Sequence, residues 1–189
     1  MRLAIFGGTF DPIHNAHLIV GREAAAHFSL DKVLFVTASQ PPHKSGTGTS
    51  FDDRMAMVEL ACAGEPHFEA SRIEAGNRKS YSFDTIERVK AKLALDDRLF
   101  FLIGADAFAE IGTWYRALQV IESVEFIVVT RPGHTYATPS GARVHRLNTL
   151  ALPVSSSEIR EKLAAGEPVH ELPPPVLDYI HERGLYAVR

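Results

Sequence analysis

Hydrophobic residues follow two different patterns along this sequence, and together the patterns predict alternating strands and helices. Continuous apolar runs predict buried strands at residues 3–6, 33–37, 99–103 and 125–130, with shorter ones at 67–71 and 144–147. Between these runs, apolar residues recur every three or four positions and predict helices at 15–28, 52–63, 82–93, 117–122 and 176–183, with further helix starts at Ala105 and Ser155. This alternation indicates an α/β fold, with a Rossmann-like doubly wound, mainly parallel sheet and helices on both faces.

The composition of the chain limits its domain count, its partners and its location. The 189 residues, 46% hydrophobic and 23% charged, predict a single globular domain over residues 1–189. A net charge of −3 offers no general attraction to nucleic acid or acidic membranes, and no apolar run is long enough to cross a bilayer. The single cysteine, Cys62, lies on an apolar helix face, which indicates a core residue and excludes an intrachain disulfide. A cytoplasmic location is therefore expected.

The stretch from residue 3 to residue 17 carries the strongest chemical signal. Gly7-Gly8 is expected to break the first strand, Asp11-Pro12 to force a turn, and Asn15 to cap the following helix. A strand, a glycine turn and a helix start bring free N–H groups and the positive end of the helix dipole to one point. His14 and His17 fall at the same point, so we predict a phosphate site with two imidazoles.

Two common phosphate-binding patterns are absent from this sequence. The P-loop pattern G-x-x-x-x-G-K-[ST] does not occur, and Gly7-Gly8 does not continue into the dinucleotide pattern G-x-G-x-x-G. The acidic residue that would hold a ribose hydroxyl after the second strand is replaced by Ser39 and Gln40. An NAD-dependent dehydrogenase is therefore disfavoured.

Two segments near opposite ends of the chain resemble the motifs of one superfamily. Residues 7–17 match the G-G-x-F-x-P-x-H-x-G-H signature of nucleotidyltransferases except at Ala16, where the pattern has glycine. Residues 154–160, V-S-S-S-E-I-R, resemble the I-S-S-T-x-I-R segment of the same superfamily. The resemblance implies that both segments hold the phosphates of ATP. Serine hydroxyls, a helix start and Arg160 suit an anion, which agrees with that role.

Short segments in the middle of the chain indicate which family of this superfamily the chain resembles. They are Pro41-Pro42-His43-Lys44, Ser80-Tyr81-Ser82-Phe83-Asp84-Thr85, Gly104-Ala105-Asp106, Trp114-Tyr115 and Arg131-Pro132-Gly133. In this order they resemble elements of the bacterial nicotinate mononucleotide adenylyltransferase family. The resemblance covers essentially the whole chain and implies transfer of AMP from ATP to nicotinate mononucleotide, giving deamido-NAD and pyrophosphate.

The same resemblance implies a role for each matching residue. ATP is expected to contact Gly7, Gly8, Thr9, Phe10, His14, His17, Gly104, Asp106, Ser155, Ser156, Ser157 and Arg160. Nicotinate mononucleotide is expected to contact Gly8, Thr9, Lys44, Thr85, Asp106, Trp114, Tyr115 and Arg131. The expected catalytic residues are His14, His17, Lys44 and Arg160. Mg²⁺ is expected to arrive with ATP, held mainly by phosphates and water, with no metal site built by the protein. A homo-oligomer stays open.

Other interpretations remain open from the sequence alone. The two histidines could be surface residues or a metal pair beside Asp11, although zinc would need further ligands that no nearby pattern supplies. Trp114 could be a core residue, Thr85 an ordinary helix residue and Asp106 a plain helix cap. The chain could also be a nicotinamide mononucleotide or phosphopantetheine adenylyltransferase, or a nucleotide-binding regulator without turnover.

Overall fold

A parallel sheet forms the centre of the protein in a computed structural model, which describes residues 1–40, 48–76, 79–131, 133–150 and 154–187. The strands within these residues are β1 (Arg2–Gly8), β2 (Lys32–Thr37), β3 (Phe68–Ser71), β4 (Arg98–Gly104), β5 (Glu125–Thr130) and β6 (Arg143–Asn148). Neighbouring strands are parallel throughout, and their order is β3-β2-β1-β4-β5-β6. The predicted mainly parallel α/β fold is confirmed, and the described sheet is parallel in full.

Helices cover both faces of this sheet. They are α1 (Asn15–His27), α2 (Phe51–Cys62), α3 (Ser82–Lys90), α4 (Ala105–Ala109), α5 (Ala117–Ser123), α6 (Ser156–Ala165) and α7 (Pro174–Arg183). One apolar core joins the sheet to α1, α2, α6 and α7, and a second joins its other face to α3, α4 and α5. Because both faces are covered, the strands appear in the sequence as continuous apolar runs rather than as alternating ones.

Three local predictions needed correction. Gly7-Gly8 does not break β1, because both glycines pair with β2, opposite Val36 and Thr37. The N-cap of α1 is His14 rather than Asn15, which is already the first helical residue. The last helix begins at Pro174, two residues before the predicted start, and a left-handed Gly184 ends it as expected. The extent of one domain over residues 1–189 stays a prediction.

The order of the strands fixes where a ligand can bind. β1 lies at the centre of the sheet. β2 and β3 follow on one side of it and β4, β5 and β6 on the other, so the direction of winding reverses between β1 and β4. In such sheets ligands bind in the crevice beyond the carboxyl ends of these two strands. Gly8 ends β1 and Gly104 ends β4, so this crevice is bordered by two predicted site residues. No helix in the described part of the chain is long and apolar enough to span a membrane.

Candidate active site

The turn after β1 is held in an unusual backbone conformation. Phe10 has a φ of 48° and its ring is buried in the core, 3% exposed, while the Asp11–Pro12 peptide bond is cis. A side chain at Gly8 would place its Cβ 2.8 Å from the ring of Phe10. Glycine is therefore required at position 8 by the close approach of this ring, although its own backbone is that of a strand.

The carbonyl groups of this turn accept hydrogen bonds from distant side chains. Arg54 Nη1 donates to Thr9 O at 2.7 Å, and Arg160 Nη1 donates to Asp11 O, also at 2.7 Å. Ser156 Oγ donates to Pro12 O at 3.1 Å. These contacts come from α2 and α6, so two helices far apart in sequence hold the same turn.

Asp11 is fixed through its side chain as well. Its carboxylate is buried and accepts a hydrogen bond from the hydroxyl of Tyr186, at 2.6 Å from Oδ1. Burial and this carboxylate raise the pKa of Tyr186 well above its usual range, so the hydroxyl remains a donor. The carboxylate of Asp11 therefore stabilises the turn and is not available as a metal ligand beside the two histidines.

His14 and His17 lie at the start of α1 with their rings in contact, 3.8 Å between ring centroids and with the ring planes tilted by 31°. The backbone N–H of His14 donates to Nδ1 of His17 at 3.2 Å. His14 Nδ1 is buried, and no partner for it occurs among the described residues. The ring of Phe10 packs edge-on against His17, 5.1 Å between centroids, so the core side of the turn supports the imidazole.

Both imidazoles are neutral at physiological pH. Burial lowers the pKa of His14 to about 4, opposed by the negative charge of Glu171. Burial also lowers the pKa of His17 to about 3, and the neighbouring His14 adds to this effect. Since Nδ1 of His17 accepts a hydrogen bond, its proton resides on Nε2, which makes His17 a neutral donor.

A cavity of about 640 Å³ lies beside the histidine pair, and we call it the histidine cavity. Predicted site residues that line it are His14, His17, Gly104, Asp106, Arg131, Ser155 and Ser156. Ala16, at the second residue of α1, lines it too, so the departure from the motif faces this cavity. Ser155 forms the predicted capping box with Glu158 at the start of α6.

A smaller cavity of about 240 Å³ lies on the other side of Gly104, and we call it the tryptophan cavity. Its lining includes Gly7, Gly8 and Thr9 from the end of β1, together with Trp114. It shares Trp114 with an outer pocket of about 550 Å³ that Tyr115 also lines. The two named cavities share Gly104 at the end of β4, so they meet at the switch point of the sheet.

Some predicted site residues lie elsewhere than their assigned roles suggest. Arg131 was assigned to the acceptor, but it lines the histidine cavity instead of the tryptophan cavity. The hydroxyl of Thr85 donates to the carboxylate of Glu74, which precedes α3. The backbone N–H of Thr85 donates to the carbonyl of Tyr81, the N-cap of α3. Thr85 is therefore engaged within the protein and lines neither of the named cavities.

Three residues assigned to ATP also have partners within the protein. Phe10 contributes its ring to the core rather than to a cavity surface. Arg160 bonds to Asp11 O and to Ser157 Oγ, and neither Arg160 nor Ser157 is among the described lining of the histidine cavity. Lys44, in the segment 41–47, lies outside the described residues.

Three residues that build the site were not predicted from the sequence. Arg54 is fully buried and holds the turn after β1, Tyr186 holds Asp11, and His134 lines the histidine cavity. Arg54 stands one turn before Val58 on the apolar face of α2, and a charged residue on such a face was the available signal. Tyr186 and His134 follow helix or strand ends and carried no comparable signal.

The donor set suits phosphates better than a metal held by side chains. No group of three or more His, Cys, Asp or Glu residues able to hold a metal occurs in the described ranges. The site instead offers a neutral imidazole, a serine cluster and Arg131 around one cavity. A magnesium ion fits here only as a companion of a polyphosphate, which would supply most of its oxygen ligands.

A parallel sheet of order 3-2-1-4-5-6 with paired histidines at its switch point is the arrangement of a nucleotide-binding protein of the α/β class. Residues 5–162 match the protein family described as cytidylyltransferase-like. A probable nicotinate-nucleotide adenylyltransferase from Solibacter usitatus is 57% identical over 98% of this chain and 100% of the relative. A second, from Exiguobacterium sibiricum, is 41% identical over 99% of this chain and 100% of the relative. The chain belongs to the nicotinate-nucleotide adenylyltransferase family.

A solved structure supports the same fold. The nicotinic acid mononucleotide adenylyltransferase of Plasmodium falciparum, complexed with NaAD, superposes with a TM-score of 0.80. It is 22% identical and covers 98% of this chain and 97% of its own. At this identity the comparison establishes the shared fold, while the activity of this chain is argued from its own site.

Proposed function

We propose that this protein transfers AMP from ATP to nicotinate mononucleotide, forming nicotinate adenine dinucleotide and pyrophosphate in NAD biosynthesis. An oxygen of the mononucleotide phosphate attacks the α-phosphorus of ATP in line. The bond from that phosphorus to its bridging oxygen breaks, and pyrophosphate leaves with the electron pair. Because the nucleophile belongs to the substrate, the protein has to position two phosphates and stabilise the negative charge that spreads over the phosphoryl oxygens and the leaving group.

The observation that carries this proposal is the meeting of two cavities at Gly104. The histidine cavity is large enough for a nucleotide and has donors suited to a triphosphate. The tryptophan cavity opens beside an aromatic ring suited to stacking on a pyridine ring. Two substrates bound in these cavities would bring their phosphates together beside the histidine pair.

On the ATP side, His17 is assigned as the donor to the α-phosphate. A neutral imidazole with its proton on Nε2 donates a hydrogen bond without needing protonation at physiological pH. His14, Ser155 and Ser156 share this side, and Asp106 is assigned to a ribose hydroxyl. Arg131 lines the same cavity, which supports a role with ATP, while its role with the acceptor stays a prediction.

On the acceptor side, Trp114 is assigned to the nicotinate ring, Tyr115 to the nicotinate carboxylate, and Gly8 and Thr9 to the phosphate. Lys44 and Thr85 keep the roles implied by the family resemblance, as predictions. Arg160 donates to the carbonyl of Asp11 through Nη1, and its remaining N–H groups are assigned to the ATP phosphates in this proposal. Mg²⁺ is assigned to the ATP phosphates. The homo-oligomer and the cytoplasmic location also stay predictions.

The proposal is tested by pyrophosphate release with ATP, Mg²⁺ and nicotinate mononucleotide. The purified protein is expected to release one pyrophosphate for each nicotinate adenine dinucleotide formed. Omission of the mononucleotide is expected to abolish release, because water is not the intended nucleophile. Tight binding of ATP without any release would reject the enzymatic proposal and favour a nucleotide-binding regulator.

A further inference from the structure

Arg54 is a buried cation that the proposed reaction does not use. It lies in the first part of α2, and its side chain is 0% exposed. Its guanidinium donates to Thr9 O at 2.7 Å, to Ala38 O at 2.8 Å and to Ser39 O at 3.3 Å. One side chain therefore joins the residues that follow β1 to those that follow β2.

The residues that Arg54 holds belong to the acceptor side of the site. Thr9 and Ala38 both line the tryptophan cavity, and neither lines the histidine cavity. Ser39 extends the connection, because its N–H donates to Ser80 Oγ at 2.8 Å and Ser80 lines the tryptophan cavity as well. The contacts of Arg54 thus lie along one wall of a single cavity.

The backbone of this wall is fixed from both sides. Ala38 N–H donates to Gly8 O at 2.9 Å, while Ala38 O accepts from Arg54. Burial lowers the pKa of Arg54, and the negative charge of Asp11 opposes this shift. A buried guanidinium is costly unless it is hydrogen-bonded, so it stays in place only while the carbonyls remain around it.

We propose that Arg54 is a positioning residue for the acceptor substrate, acting through the backbone of Thr9 and Ala38. Its Nη1 bridges Thr9 O and Ala38 O while its Nη2 donates to Ser39 O, and these bonds fix the carbonyl groups that follow β1 and β2 along the wall of the tryptophan cavity. Arg54 lines neither of the two cavities, so it is assigned no contact with either substrate. The identity of the acceptor rests on the proposed function, whereas the clamp on the backbone does not.

Lysine at position 54 is the informative substitution. Arg54→Lys keeps the buried charge but offers one nitrogen in place of two, so it cannot donate to Thr9 O, Ala38 O and Ser39 O in the same geometry. Because small displacements of a binding group cost much activity, we expect the KM for nicotinate mononucleotide to rise about tenfold or more. The KM for ATP is expected to stay within about twofold, since the histidine cavity contains none of the clamped residues.

Met57→Ala is the matched control. Met57 is also fully buried on α2, but it packs in the apolar core and forms no part of either cavity. This variant is expected to lose stability as a large-to-small core change does, with both KM values unchanged. Equal rises of the two KM values in Arg54→Lys, or no rise in either, would overturn the proposal.

Hydrogen exchange at the Ala38 amide tests the clamp without any activity. In Arg54→Lys this amide is expected to exchange faster than in the wild type, by more than the change in global stability explains. In Met57→Ala it is expected to change only in step with global stability. Unchanged protection in Arg54→Lys would reject the clamp. A wild type inactive with nicotinate mononucleotide would reject the proposed function alone.

Discussion

The backbone N–H of His14 donates a hydrogen bond to Nδ1 of His17, 3.2 Å away, across the first turn of α1. This single contact caps the helix and fixes the tautomer of the second imidazole. The proton of His17 is left on Nε2, and burial keeps the ring neutral. The pair therefore behaves as a fixed neutral donor rather than as a titrating acid or base.

The first prediction concerns this donor. His17→Ala is expected to lower kcat by about 10² to 10³, which is typical for the loss of one preorganised donor to a developing charge. His17→Gln is expected to lose less, because its amide nitrogen lies near the position of Nε2. Steady-state pyrophosphate release measures both variants.

The control for this prediction is His27→Ala. His27 lies at the exposed end of the same helix, α1, far from the turn. It is expected to keep the activity of the wild type. Near-normal turnover in His17→Ala, with the fold intact by circular dichroism, would contradict the role given to His17.

The second prediction follows from the depressed pKa values of the pair. Folded pKa values of about 4 for His14 and about 3 for His17 lie below the ordinary 6.5, so the unfolded chain binds more protons in acid. The two neutral histidines contribute fully to the free energy of unfolding above pH 6.5, and this contribution is lost as the pH falls toward 4 and below. The free energy of unfolding is expected to fall between pH 6.5 and 5, by up to about 1.4 kcal/mol per pH unit for each proton bound.

Urea unfolding at several pH values measures this dependence. The window from 6.5 to 5 is chosen because most carboxylates change their charge below it. The double variant His14→Gln, His17→Gln is expected to show a shallower slope there than the wild type. Equal slopes for the two proteins would mean that the histidines do not titrate as described.

The fold could be predicted from the sequence because its elements are long and strongly patterned. β5 has the predicted bounds, and β4 differs from its prediction by one residue at each end. The capping box at Ser155 was also predicted correctly, since Ser and Glu three residues apart form it locally. Where the local signal agreed with the packing, the sequence was sufficient.

The errors occurred where long-range contacts outweigh local preference. Gly7 and Gly8 suggest a break, yet the ladder to β2 keeps them in the strand. Asn15 is a good cap by type, but its N–H donates to Glu171 O and its side chain to His170 O, more than 150 residues away. No local pattern reports such contacts.

The site was predictable in its motifs and less so in its internal contacts. The histidines and Trp114 lie around the crevice expected from the sequence. The phosphate role of Arg160 stays a prediction, and its contact with the carbonyl of Asp11 had no signal in the sequence because it depends on how α6 packs against the turn. The contacts of Arg54 likewise depend on the folded arrangement, in which the residues after β1 and those after β2 lie next to each other.

The third prediction concerns the close packing behind the turn. Gly8→Ala is expected to destabilise the protein by about 1–3 kcal/mol, because its Cβ would lie 2.8 Å from the buried ring of Phe10. Gly7→Ala is the matched control, since its Cβ would lie 3.9 Å from Phe101, an ordinary contact distance. Urea unfolding compares the two variants. A loss in Gly8→Ala no greater than in Gly7→Ala would contradict the packing described.

The fourth prediction concerns the single cysteine. Burial raises the pKa of Cys62 to about 12, so the thiolate required for reaction is scarce at neutral pH. The native protein is expected to resist labelling by a disulfide reagent, and one thiol per chain is expected to react after unfolding in urea. Rapid labelling in native buffer would show that Cys62 is not a core residue.

The fifth prediction concerns acceptor specificity, which distinguishes a nicotinate mononucleotide adenylyltransferase from related adenylyltransferases. The ratio of kcat/KM for nicotinate mononucleotide over nicotinamide mononucleotide is measured with ATP saturating, together with phosphopantetheine as a third acceptor. We expect a ratio of about 10² or more in favour of nicotinate, since donors arranged for a charged carboxylate discriminate against the neutral amide. Equal rates with the two mononucleotides, or activity with phosphopantetheine alone, would contradict it.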